Sequence, residues 1–187
     1  MGSVIDPAHL TESGELCIHR LTELGELRLP PAQLITAIGT AVEVHVSRVL
    51  ARLIVLSGIQ DHELGNAMLV RLEQDMNKSW PSRGAWLRNG FSVEYMGDKP
   101  YQDFDVLVEL RNAVVHGDGA ASDQQERKGV AALRNLRRSF ADRLDVEFHG
   151  RAKFGSTSAT LAMDIARRFV ADFDRSVLVL YPDAGRL

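Results

Sequence analysis

The most constraining feature of the sequence is the run from Ala32 to Ser57, where Ile35, Ile38, Val42, Val46, Val49, Leu53 and Leu56 recur at three- and four-residue spacing. That period places these side chains on one face of an α-helix of about seven turns. Such a face must be covered along its whole length, which makes this a core helix. Pro30 and Pro31 fit its start, because proline is tolerated in the first turn of a helix and little further on. Glu43 and His45 interrupt the apolar run. The spacing puts them at the edge of the stripe, with their polar tips in solvent.

The remaining segments supply the other helices. Residues 14–26 carry leucines at partly helical spacing, broken by Gly14 and Gly25, and read as a short helix in an N-terminal arm, 1–30, that packs on a 31–180 core. A further helix is expected from Asp61 to about Lys78. Trp80-Pro81 is expected to stop it, leaving a short helix and loop up to Pro100. Ser122 or Asp123 caps a helix reaching Arg143. Residues 145–154 alternate and turn at His149-Gly150, which predicts a small β-hairpin decorating the bundle. A last helix begins at Ser156 or Thr157, with Leu161, Ile165, Phe169, Val170, Phe173 and Val177 inward.

Between these lies the stretch Leu107 to Gly119. Phe104, Leu107, Val108, Val114 and Val115 mark a buried helix face, and Arg111 falls at its angular centre. A guanidinium cannot shed its proton to escape burial, so it needs a carboxylate, a polar cleft or an anionic ligand. Asn112 and His116 sit one turn apart on the flank, and Gly117 and Gly119 end the helix beside His116. An Arg and a His at this spacing are expected by chance roughly 0.6 times in such a chain. Requiring Asn directly after the Arg lowers that to roughly 0.015.

Arg111-Asn112 followed by His116 resembles the Arg-(four to six residues)-His motif of the HEPN superfamily. The preceding Trp80 to Arg88 and Gln102 to Asp105 are similar to the approach to this helix in stand-alone bacterial members, so the resemblance extends over residues 31–180. It implies an all-α, up-and-down bundle of four to five helices and a metal-independent endoribonuclease acting on single-stranded RNA. Arg111, Asn112 and His116 would be catalytic, no cofactor or metal would be needed, and a homodimer would form one composite site. Glu43 would be the supporting carboxylate that pairs with Arg111. A defence or toxin–antitoxin setting, with a neutralising partner, is a further implication. The alternative is a catalytically silent HEPN module for dimerisation or for nucleotide or RNA binding, acting with a partner protein. The tyrosine that some HEPN toxins carry two residues after the histidine is here Asp118, which makes control by nucleotide transfer doubtful.

The chemistry suits the residues. Metal-free RNA cleavage needs a base for the 2′-hydroxyl proton, an acid for the leaving 5′-oxygen and positive charge for the phosphorane oxygens. Histidine and arginine supply these, and the products expected are a 2′,3′-cyclic phosphate and a 5′-hydroxyl. On one regular helix, however, Arg111 and His116 point about 140° apart and differ by about 7.5 Å in rise, so two copies converge on a phosphate better than one.

Charge is unevenly spread. Up to residue 119 there are ten Lys+Arg against sixteen Asp+Glu, and after it twelve against nine, which together make the net −3. The basic excess includes Arg134, Arg137 and Arg138, candidates for an RNA-binding track. A lone Cys17 forms no internal disulfide, and His45, His62 and His116 lack metal-pair spacing. With no run of eighteen apolar residues and no leader-like start, a single cytoplasmic domain is expected.

Overall fold

The computed structural model describes residues 9–76, 79–95 and 97–186. The chain is all-α with one antiparallel hairpin. In order, the elements are α1 (Glu12–Glu26), α2 (Pro31–Leu56), α3 (Glu63–Met76), α4 (Trp80–Phe91), α5 (Lys99–His116), α6 (Asp123–Arg127), α7 (Val130–Leu144), β1 (Val146–His149), β2 (Arg151–Phe154) and α8 (Ser158–Leu180). The bundle itself is made by the longer helices α1, α2, α5, α7 and α8, with α2 packed against α1, α5 and α8. The end assigned to the third helix at Lys78 falls outside the described residues.

Helix α2 explains the arrangement. Pro31 opens it, and Gly58, in the left-handed region at φ 66°, turns the chain away after it. Ile35, Ile38, Val42, Val46, Val49 and Leu53 are buried as the spacing predicts, whereas Leu56 is exposed where the helix runs out. By length and composition alone α2 would also suit a membrane span, but half of its most apolar stretch is buried inside the bundle. Three helices surround α2 rather than one, so its buried face is wider than the stripe. That width corrects the solvated placement of His45, which is 1% exposed. Its Nδ1 lies 3.1 Å from Ser13 Oγ of α1, and its Nε2 lies 3.0 Å from Asp174 Oδ1 of α8.

This cluster pins the arm. Thr11 caps α1, its hydroxyl accepting from Gly14 N–H, and both its backbone N–H and its hydroxyl donate to Asp174 Oδ2, at 2.8 and 3.0 Å. Gly14 is therefore no interruption but a close approach, since a Cβ there would lie 1.8 Å from Asp174 Oδ2. Cys17, one turn on, is buried beside it, and burial together with Asp174 pushes its thiol up to about 12, which keeps it protonated and unreactive.

Two helix boundaries differ from expectation. Trp80-Pro81 starts a helix instead of stopping one: Ser79 caps it, accepting from Ser82 N–H at 3.2 Å, and Pro81 occupies the first turn, where its missing N–H costs nothing. The helix expected from residue 123 to 143 is divided at Gly129, whose φ of 89° only glycine adopts freely. The segment before the break is held by a capping box between Ser122 and Gln125.

The hairpin is more than a decoration. Val146 and Phe148 of β1 are buried, with Phe148 edge-on to Phe140 of α7, and β2 reaches the turn that follows α5. There Ala152 N–H donates to Gly119 O at 2.7 Å, and Arg151 pairs with Asp118 at 2.6 Å.

Candidate functional site

The end of α5 is set by its sequence. Lys99, Pro100 and the N-cap Asp98 start the helix, and Phe104, Leu107, Val108, Leu110 and Ala113 bury its inner face. Val115 is exposed rather than part of that face, and the burial runs through Leu110 and Ala113 instead. The left-handed residues of the stop are Asp118 (φ 50°) and Gly119 (φ 82°). Gly117 has an ordinary φ but allows no side chain, because a Cβ would lie 2.2 Å from Ala120 O. Both Gly117 and Gly119 N–H groups return to Ala113 O at 3.0 Å, so the turn is closed immediately after His116.

Beside this helix end is a cleft of about 560 Å³ between α5, α4, α2 and the start of α6. Glu43, Arg111, Asn112 and His116 all line it, together with Trp80, Arg83, Asp105, Glu109, Asp123 and Lys128. Four residues singled out from the sequence thus meet in one place. Arg134, Arg137 and Arg138 do not line it; they are exposed on α7, which turns Leu133 and Leu136 inward.

The pairing inside the cleft differs from expectation. Glu43 does not pair with Arg111: its Oε1 accepts from Arg83 Nη2 at 2.8 Å. Arg83 is 4% exposed, also donates to Ser47 Oγ at 3.2 Å, and lies over the Trp80 ring at 5.5 Å. The reason is burial. Once α4 begins at Trp80, Arg83 falls one turn along and inside the protein, where a guanidinium requires a carboxylate more urgently than the half-buried Arg111 does. Read as a helix start, Trp80-Pro81 would have put Arg83 on the same side as Trp80 and Leu87 and marked it as a buried cation.

Arg111 is left differently placed. Among the described residues it has no ion pair, and its Nη1 donates to Asn112 Oδ1 at 3.2 Å. Asn112 therefore orients the guanidinium rather than the imidazole. His116 is exposed at the rim, with no hydrogen bond or ion pair among the described residues. Gly39 of α2 lies against the Arg111 stem, its Cβ position 3.4 Å from Arg111 Cγ. Removing a side chain from α2 at that point leaves room for the arginine to lie along the helix surface.

The other charges are largely engaged. Lys128 pairs with Glu109 at 2.6 Å, and Gln125 Nε2 donates to Glu109 Oε2 at 2.7 Å and to its carbonyl at 2.8 Å. Asp105 presents an exposed edge, but partial burial of its carboxyl, followed by the charge of Glu109 one turn on, raises its pKa above the ordinary carboxylate value. Lys128 and Arg143 pull the other way. Among the described residues, no three His, Cys, Asp or Glu side chains are placed to hold a metal ion.

Fold and site together define an all-helical bundle with an arginine–asparagine–histidine cleft at the end of one core helix. Set against family models, curated proteins and solved structures, the chain finds no match.

Proposed function

We propose that the protein is a metal-independent endoribonuclease of HEPN type that cuts single-stranded RNA at the α5 cleft. The observation that carries this reading is Arg111. It is a half-buried cation in a concave polar site, with no carboxylate paired to it among the described residues, while Arg83 and Lys128 in the same cleft each have one. A cation so held has its charge open to an anion from outside, and its planar fork fits two phosphate oxygens. His116, accessible and about 7.5 Å further along the helix, is the group able to move a proton there.

In the reaction, the ribose 2′-oxygen bonds to phosphorus as a histidine takes its proton. The bond from phosphorus to the 5′-oxygen breaks, and that oxygen receives a proton from a second histidine in its protonated form. Arg111 carries the charge gathering on the non-bridging oxygens, and Asn112 holds Arg111 in position. The second histidine comes from a second copy of the chain, since each chain brings one His116 to its cleft. A defence or toxin–antitoxin role, with a partner that restrains the enzyme, belongs to the same proposal.

The test is cleavage of single-stranded RNA by wild type and His116→Ala in EDTA, with analysis of the product ends. Chelator-resistant cutting to 2′,3′-cyclic phosphate ends, reduced at least a hundredfold or so in the variant, is expected. A folded, dimeric wild type that leaves RNA intact would favour the alternative of a silent HEPN module acting through nucleotide binding or dimerisation.

A further inference from the structure

The charges of the cleft do not balance locally, and the imbalance has a direction. Of its four carboxylates, Glu43 is paired with Arg83 and Glu109 with Lys128. Asp123 lies in the first turn of α6, where negative charge is favoured by unpaired backbone N–H groups. Asp105 has neither a hydrogen bond nor an ion pair among the described residues. The two cleft charges left open on α5 are therefore one anion, Asp105, and one cation, Arg111. Asp105, Glu109, Asn112 and His116 follow one another at four-, three- and four-residue steps, forming a single row along the helix. Asp105 precedes Arg111 by about 9 Å of helix rise and points about 120° away from it, yet both line the cleft, and the Arg111 guanidinium is drawn toward the row by its hydrogen bond to Asn112. Asp105 and Arg111 thus occupy different levels of one cleft, whose lining also includes Trp80 and Val108.

We infer that Asp105 is a base-reading carboxylate, which makes the cleft select guanine next to the bond that is cut; this rests on the ribonuclease reading of the same site. An ionised carboxylate can only accept hydrogen bonds. Guanine is the base that presents two adjacent donors, N1–H and the N2 amino group, on its Watson–Crick edge. Adenine and cytosine set an acceptor ring nitrogen beside their amino group, and uracil sets carbonyls on both sides of its N–H, so each would turn a lone pair toward a carboxylate oxygen. Partial desolvation of the Asp105 carboxyl adds to the gain from such a partner, because its ionised form is under-solvated until donors arrive. A carboxylate placed only as a solvated surface charge would act differently, repelling every RNA to the same degree.

The experiment measures kcat/KM for single-stranded oligonucleotides that differ only in one G, A, C or U, with wild type and Asp105→Asn. In parallel, GMP, AMP, CMP and UMP are titrated by NMR into His116→Ala with and without Asp105→Asn. A guanine preference of roughly tenfold to a hundredfold, matching one bidentate contact, is expected in wild type and should collapse toward unity in Asp105→Asn. Tighter binding of GMP, lost with the same substitution, is expected in the titration. The inference is overturned by cutting without base preference, by a preference that survives Asp105→Asn, or by a variant that is faster on all four substrates by one factor. If wild type cuts nothing yet GMP binds selectively through Asp105, the ribonuclease reading fails and the guanine site stands. If neither cutting nor selective binding is seen, both fall.

Discussion

Asp105 illustrates how a site residue weakens the fold that carries it. Its raised pKa means that the folded protein holds this proton more tightly than the unfolded chain does. The favourable contribution is complete below the unfolded carboxylate value and is lost as pH rises through the higher folded value. Asp105→Asn should therefore be more stable than wild type at neutral pH, with the gain shrinking in acid, as urea denaturation at two pH values would show. A variant less stable at neutrality would contradict the assigned cause. Glu43 is the opposite case, because it neutralises the buried Arg83. Glu43→Ala should cost about 2 kcal/mol, less than for a fully buried pair because Glu43 is a third exposed. Retention of full stability would mean that Arg83 finds another carboxylate. Arg111 was legible in the sequence because it interrupts a regular stripe, and Asn112 and His116 because they sit one turn apart on its flank and run into a glycine stop. Arg83 was not legible as a buried cation, since its burial depends on where α4 begins.

Among the elements, α1 is the one held by polar contacts that periodicity could not display. His45, Ser13, Thr11 and Asp174 come from three helices separated by up to 163 positions, and no local pattern relates them. Gly14 carries the consequence. Gly14→Ala would drive a methyl into Asp174 Oδ2, so the cap and its carboxylate must part, and a loss of about 3 kcal/mol is expected. Amide exchange of α1 should accelerate far more than that of α5, and uniform acceleration would show that the arm does not loosen on its own. The helix boundaries divide the same way. Those marked by a cap and a glycine, such as the end of α5, could be read in advance, whereas the break at Gly129 looks in sequence like one tolerated glycine inside a helical pattern.

At the scale of the molecule, α2 was legible as a core helix, because its apolar face needs cover along its whole length. The sequence did not reveal how many neighbours α2 has, because a stripe gives the direction of burial and not its width. The proposed mechanism makes a demand at this scale too. Wild type unfolded and refolded together with an excess of His116→Ala should lose activity well beyond simple dilution, because a mixed dimer carries only one of the two histidines the reaction needs. Sedimentation must show dimers in the same samples; a rate that falls only in proportion to the wild-type fraction would remove the shared site from the mechanism.

The bond from Ala152 to Gly119 also bears on the order in which the protein is made. The turn that seats His116 is braced by a strand about thirty residues further along, so a ribosome-bound chain that has emerged only through α5 has the motif but not its support. For a protein proposed to cut RNA, this separates synthesis from action: the nascent chain is still tethered to its message while the part that would cut it is incomplete.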